Sequence, residues 1–458
     1  MTNPSSSIAV RRAWTLLLVC AVSTMGARTL AQEAHDVNGI IPFPTTTRTL
    51  ANGLQVIVMP MPSEGLVTYW TIVRTGSRDE YEPGRSGFAH FFEHMMFRGT
   101  ERYPSERYLE TMVGIGANMN AYTTDDYTAY HVSMAKEDLE KVMELESDRF
   151  QNLAYPESGF QTEAGAVYGE YRKSRTDPHF ALDESLVATA FEKHTYGHTT
   201  MGFERDIAAM PTMYDYSRSF FARYYRPENT VLFVVGDVDP KTVLPLVERY
   251  YGGWKRGYVA PQIPAEPEQR GERRVDVKFD GQTLPIVRLA YKLPAFAPAD
   301  RTRVAAELLA ELEFGETSET YKRLVLDEQV VEYVDAGADD SRDPKLFEIE
   351  ARVKDPAKID YVLGVLDATI AAARDSQPDA ARLAGLKQRL KYGFVMGLTT
   401  PDAVAERLAH FIALSGDLEG VRTLYATYAE LAPEDVQRAA QAYLVAARRT
   451  VGVLRARQ

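Results

Sequence analysis

An internal repeat restricts the fold of this chain more than any other feature. Val67-Thr68-Tyr69-Trp70-Thr71 is answered by Ile286-Val287-Arg288-Leu289-Ala290, and Tyr224 with the apolar run Val231–Val235 by Tyr443 with Thr450–Leu454. Both pairings share one offset of 219 residues. Few identities survive, but self-similarity at a fixed spacing means one folding unit built twice. A chain of 458 residues has room for two or three domains of ~100–200 residues. Residues 41–256 and 273–458 are therefore expected to form two similar α+β domains, each a mainly antiparallel sheet packed with helices. Between them, Gly257 to Glu272 carries Pro261, Pro264 and Pro267 among charged and small residues and reads as a linker over 257–272.

The two copies differ in one helix. In the first, Phe88-Ala89-His90-Phe91-Phe92-Glu93-His94-Met95-Met96-Phe97 places two histidines and a glutamate on one face, since residues three and four apart are neighbours on a helix. Two imidazoles one turn apart can grip zinc, with the carboxylate beside the remaining coordination positions. His-x-x-Glu-His is itself a zinc-protease signature. The bland alternative is a helix that happens to carry these three residues. Against it stand the apolar neighbours, which imply burial, and buried ionisable groups need a partner. At the repeat offset His90, Glu93 and His94 fall on Leu309, Leu312 and Glu313, so only the first half can hold the metal.

A further ligand must come from His, Asp or Glu. The single cysteine, Cys20, lies in an N-terminal stretch that reads as an export signal: Arg11-Arg12, the short apolar run Ala13–Val22, then small residues suited to cleavage after Ala31. Removing residues 1–31 leaves a chain without thiols and more acidic than the −12 of the whole sequence, which argues against a nucleic-acid partner. No later stretch approaches the ~20 apolar residues of a membrane span, so no stable membrane span is expected. In the helix Phe160–Arg172, Glu163 and Glu170 lie close to two turns apart and share a face. That face is either a solvated acidic stripe or, given the small Ala164 and Ala166, one that packs against another helix. His194 and His198 have ligand spacing, but Gly197 and its flanks indicate a loop, and they are read as structural. His131, His179 and His410 have no acidic companions at ligand spacing.

These motifs resemble the pitrilysin family, the inverzincins that include insulin-degrading enzyme and mitochondrial processing peptidase, and in particular its short exported bacterial members. The match rests on His90-x-x-Glu93-His94 with the Phe97-x-Gly99-Thr100 tail, on Glu163-x-x-x-Val167-x-x-Glu170, on Asn120-Ala121-Tyr122-Thr123, and on Tyr225-x-Pro227-x-Asn229 with Gly236-Asp237-Val238. The resemblance implies one zinc ion per chain on His90, His94 and Glu170, with Glu163 supporting the ligands and Glu93 as general base. It also implies that Asn120, Ala121, Tyr122 and Thr123 form an edge strand that pairs with substrate. The implied activity is that of a zinc endopeptidase acting on peptides or unfolded segments, exported to the periplasm. A non-catalytic scaffold or binding subunit is the alternative, disfavoured by the complete metal set. One departure stands out. Active members carry an Arg and a Tyr seven residues apart in the second domain; here the tyrosine is Tyr333 but the arginine position is Leu326, with Arg323 one helical turn off. This implies a heterodimer with a homologous subunit that carries the Arg/Tyr pair, a homodimer being the competing arrangement.

Overall fold

The computed structural model describes residues 32–34 and 39–457, so the export segment expected over residues 1–31 lies outside the described residues. The first half contributes β1 (Gln32–Ala34), β2 (Thr45–Thr49), β3 (Gln55–Pro60), β4 (Leu66–Val73), β5 (Asn118–Thr123), β6 (Thr128–Ala135) and β7 (Thr230–Gly236). They form one sheet in the order β1-β2-β3-β7-β4-β6-β5. The second half contributes β8 (Arg273–Phe279), β9 (Ile286–Leu293), β10 (Val331–Ala338), β11 (Lys345–Val353) and β12 (Arg449–Ala456), ordered β10-β11-β9-β12-β8. Each sheet is antiparallel except for one parallel pair, β3 with β7 and β8 with β12. The expected duplication and the two mainly antiparallel α+β domains are thus borne out, β3-β7-β4-β6-β5 being repeated as β8-β12-β9-β11-β10, while β1 and β2 have no counterpart among the described residues.

Six helices place the site. They are α1 (Phe88–Met95), α2 (Glu157–Ser174), α3 (Pro178–Ala190), α4 (Arg301–Phe314), α5 (Ala380–Met396) and α6 (Pro401–Ser415). On its inner face the first sheet packs Val56, Val58, Tyr69 and Val132 against Phe88, Phe91 and Phe92 of α1. The second packs Val287, Leu289, Ile349 and Val451 against Val304, Leu308 and Leu312 of α4.

The outer faces are covered by exchange between the halves. Val404, Leu408 and Ile412 of α6 lie on Ile57, Trp70, Ile72 and Phe233 of the first sheet. Leu182 and Leu186 of α3 lie on Ile286, Ala290 and Leu454 of the second. Contact there is close: a Cβ on Gly452 of β12 would sit 2.9 Å from Leu186 Cδ1. Each large apolar side chain buried in these layers is worth ~1.5–3 kcal/mol. Covered on both faces, the central strands need no alternation, which is why β7 reads as the unbroken apolar run Val231–Val235 and is buried throughout.

Residues 255–270 between the halves have no regular structure, but they are pinned. The Glu266 carboxylate accepts backbone N–H groups of Glu192, Lys193 and His194 at 2.9, 3.0 and 3.1 Å. Among the described residues no helix is long and apolar enough to cross a membrane.

Candidate metal centre

The motif helix starts where only glycine fits. Gly87 has φ +91°, and a Cβ there would lie 2.7 Å from the Met201 carbonyl oxygen. Glu80 then serves as the cap that the helix itself lacks, its carboxylate accepting the N–H of Gly87 at 2.7 Å and of Ala89 at 2.6 Å. Phe88, Phe91, Phe92 and Met95 face the core, Phe92 stacking on Phe220 with centroids 5.4 Å apart. With the apolar face committed inward, His90, Glu93 and His94 are left on the side that meets α2.

From α2, Glu170 Oε2 lies 3.3 Å from His94 Nε2 and 3.8 Å from His90 Nε2, and one donor atom from each of the three falls within 4.8 Å of the others. Ligands held tetrahedrally at ~2.0–2.2 Å from zinc stand roughly 3.3–3.6 Å apart, so the donor set fits that ion with small adjustments. Among the described residues Glu170, His90 and His94 are the one such group. Burial, with His94 adding to it, pushes the His90 pKa down to about 4, so its ring stays neutral and keeps a lone pair to offer. His90 Nδ1 is buried and has no hydrogen-bond partner among the described residues, so a ligand at Nε2 would be what fixes the ring.

Glu163, about two turns earlier on α2, meets the other side of His94: Oε1 stands 2.9 Å from Nδ1. A proton on Nδ1 leaves the Nε2 lone pair free for a metal. The hydrogen bond to Glu163 holds the His94 pKa above its ordinary value. Burial would raise the Glu163 pKa, but His94 and Arg98 outweigh it and keep the carboxylate ionised. Arg98, bonded to Glu163 Oε2, is a member of the site that spacing did not single out. A long cation four residues past His94 was the available signal.

Glu93 is held differently from the ligands. Thr123 Oγ1 donates to its Oε2 at 2.8 Å, and burial raises its pKa against that bond. Thr123 ends β5, which among the described residues pairs with β6 alone and leaves its other edge open. Asn120 and Ala121 line a cleft of about 340 Å³ shared with Glu93, His94, Arg98 and Glu163. The Ala121 N–H is bonded at 2.9 Å to Asn120 Oδ1. Tyr122 points to the opposite face, its hydroxyl 3.1 Å from that of Tyr127 and its ring edge-on to Trp70. The strand expected from Asn120 to Thr123 therefore exists and lies at the sheet edge, with Tyr122 turned away from the cleft.

Tyr333 of β10 is engaged with groups other than the metal-site residues. Its hydroxyl donates to Glu350 Oε1 at 2.5 Å and its ring stacks on His179 at 6.4 Å. Glu350 in turn binds Arg288, which reaches Asp183 of α3. Leu326 is 56% exposed in the wide helical turn Lys322–Asp327, and Arg323 is engaged with Glu328 and Tyr361. His194 and His198 are buried in a loop around a short turn: His194 Nε2 is 3.0 Å from Asp343, and His198 Nδ1 is 2.9 Å from the Thr199 carbonyl. His179 does acquire an acidic companion, Glu350 at 3.2 Å, from the other half of the chain, where spacing could not reveal it.

Comparison with known proteins identifies the family and the fold. Residues 56–204 match the insulinase family (peptidase family M16), and residues 213–390 match the peptidase M16 inactive domain. The chain is 29% identical over 404 residues to the zinc protease PqqE of Helicobacter pylori, covering 86% of this chain and 89% of that one. It is 30% identical over 236 residues to the mitochondrial-processing peptidase subunit beta of Lentinula edodes, half of each chain. The crystal structure of a protease from Helicobacter pylori superposes with a TM-score of 0.83 at 28% identity, covering 90% of this chain and 99% of that chain.

Proposed function

Because the chain belongs to the insulinase (M16) peptidase family, with the inactive-domain match falling mostly on its second half, we propose that it is a zinc-dependent endopeptidase cleaving peptides or unfolded segments. The observation that carries this reading is the convergence of His90, His94 and Glu170 donor atoms within 4.8 Å, on the face that also presents Glu93. One zinc ion per chain, held by these three, would supply Lewis-acid activation of the scissile carbonyl and of water. Glu93 accepts the proton of the attacking water and passes it to the leaving amine, a task suited by a carboxylate whose pKa burial has raised. Thr123 aims that carboxylate. Glu163 holds His94 in the tautomer with Nε2 free, and Arg98 holds Glu163. The open edge of β5 over Asn120, Ala121, Tyr122 and Thr123 gives an extended substrate main-chain hydrogen bonds, which tolerate many sequences.

Two variants test the reading. Glu93→Gln is expected to keep zinc and peptide binding and to lose turnover by ~10²–10⁴-fold, because it removes a proton acceptor and no ligand. Glu170→Gln is expected to lose most of the zinc, measured by metal analysis of the purified mature chain. Wild-type cleavage of a quenched peptide by Glu93→Gln would remove the glutamate from its role, and unchanged zinc in Glu170→Gln would remove the ligand.

The same reading extends to a partner. Leu326 is exposed where an arginine is expected, and the Tyr333 hydroxyl is committed to Glu350. A lost donor to the developing charge costs ~10²–10³-fold in rate. The active species is then a heterodimer with an exported homologue that carries the Arg/Tyr pair and lacks His-x-x-Glu-His. The basic and apolar stretch ahead of Ala31 supports export to the periplasm. Full specific activity from the single purified chain, unchanged by a co-purifying homologue, would favour the homodimer; zinc binding without any cleavage in either state would favour the scaffold.

A further inference from the structure

The hairpin tip between β10 and β11, residues 339–344, enters the first half of the molecule. Arg342 donates its backbone N–H to Asp126 Oδ2 at 3.1 Å and its guanidinium to the Arg74 carbonyl at 3.0 Å. Asp343 Oδ2 accepts Arg78 Nε at 2.6 Å and lies 3.0 Å from His194 Nε2. Lys345, where β11 begins, pairs with Asp125 at 2.8 Å. Apart from His194, the residues gripped in this way belong to two segments of the first half, 74–80 and 124–127.

Those segments are laced to each other. The Ser77 hydroxyl donates to Asp125 Oδ1 at 2.7 Å, and the Arg78 N–H donates to the Asp125 carbonyl at 2.8 Å. Their backbones touch so closely that a Cβ on Gly76 would lie 2.3 Å from the carbonyl oxygens of Thr124 and Asp125. Each segment runs directly into a group that orients the motif. One ends at Glu80, whose carboxylate holds the first N–H groups of α1. The other follows Thr123, which holds the Glu93 carboxylate. Asp79 and Asp126 are both buried at this junction, so the cations that reach them do so out of water.

We infer that Arg342 and Asp343, on the half without metal ligands, are positioning residues for the site on the other half, clamping segments 74–80 and 124–127 so that α1 and the Glu93 carboxylate hold their places. The kinetic consequence rests on the peptidase reading above; the structural one does not. The test uses the full mature chain, together with any co-purifying partner, as Arg342→Ala, Asp343→Ala, Asp343→Asn and Asp343→Glu. Arg455→Ala serves as control, since it breaks an ion pair with Asp276 inside the second sheet at 3.0 Å. In the two alanine variants kcat is expected to fall about 10- to 100-fold, with KM within about threefold and zinc content unchanged, because misplacement of reacting groups by ~1 Å costs about 10²-fold. Asp343→Glu should recover part of the loss, and the control should lose nothing. Amide exchange at Gly87 and Ala89 should quicken at least about tenfold in the same variants and not in the control, since local opening sets that rate. If Asp343→Ala does not fold, Asp343→Asn, which keeps the shape and removes the charge, carries both readouts. Unchanged kcat and unchanged exchange in folded variants, or equal losses in the control, would overturn the inference. A wild-type chain that cleaves no peptide would overturn the peptidase reading instead, leaving the exchange measurement to decide this one.

Discussion

The helices α1 and α4 occupy the same place in the two halves and have opposite interiors. At the repeat offset His90 and Glu93 become Leu309 and Leu312, which are 1% and 3% exposed and sit in the core. The helix that crosses α1 brings Glu163 and Glu170; the one that crosses α4 brings, at the same offset, Arg382 and Arg389. Arg382 bonds the Leu312 carbonyl at 2.8 Å, and Arg389 pairs with Glu311. Both helices of the pair have therefore changed together: two acids facing two histidines on one side, two arginines facing leucine and glutamate on the other. A helix face that presents histidines and a glutamate takes those positions out of the apolar core and needs polar partners for them, whereas the second half fills the same slot with leucine.

The largest effect expected from breaking this comparison comes from making α1 resemble α4. His90→Leu should abolish stoichiometric zinc and reduce peptide cleavage by at least ~10²-fold, beyond the loss seen on removing a residue that only supports a ligand. Its thermal midpoint in the metal-free state should not fall, because the substitution replaces a buried ring lacking a partner at Nδ1 with an apolar side chain. Metal analysis, a quenched-peptide assay and a melting curve on one preparation check all three outcomes. A variant that keeps its zinc would show that the triad is not the site.

The reverse graft should be expensive in stability and gain nothing. Leu309→His with Leu312→Glu opens packing in the second core and buries polar groups without partners, so a loss of about 2–5 kcal/mol in urea unfolding is expected. No second zinc should bind, since Arg382 and Arg389 occupy the facing helix where acids would be needed. Zinc binding by this double variant would mean that the arginines do not decide the difference between the halves.

Glu163→Gln sharpens the comparison at smaller scale. It keeps the side-chain shape beside His94 but removes the charge that favours the Nδ1 proton, so zinc affinity should weaken by ~10–100-fold with the stoichiometry at saturation unchanged. Competition with a chromogenic chelator reads this directly. An effect as large as that of Glu170→Gln would exchange the roles of the two glutamates.

Much of the site was legible because helical geometry is local. His90, Glu93 and His94 must share a face once the segment is a helix, whatever else the chain does. Glu163 and Glu170 were likewise bound to one face of α2, but spacing alone left open whether that face was solvated. The packing of α2 across α1 divided the face: Glu163 is buried against His94 Nδ1, whereas Glu170 stays exposed at the rim while reaching both Nε2 atoms. Arg98, Glu80 and the hold of Thr123 on Glu93 join the site through contacts between segments that no local period connects.

By itself, then, the sequence determined the duplication, the sheet-forming runs and the half that could hold a metal, because strand burial, helix faces and residue chemistry are properties of short stretches. Only the tertiary structure decided which layer covers which. An apolar helix face needs a partner but does not name one, and α3 and α6 each found theirs on the sheet of the opposite half. Charged residues far apart in the chain, such as Arg78 with Asp343 or His179 with Glu350, were paired in the same way. Such pairings depend on chain segments from both halves meeting, and those segments meet only once the two halves have packed against each other.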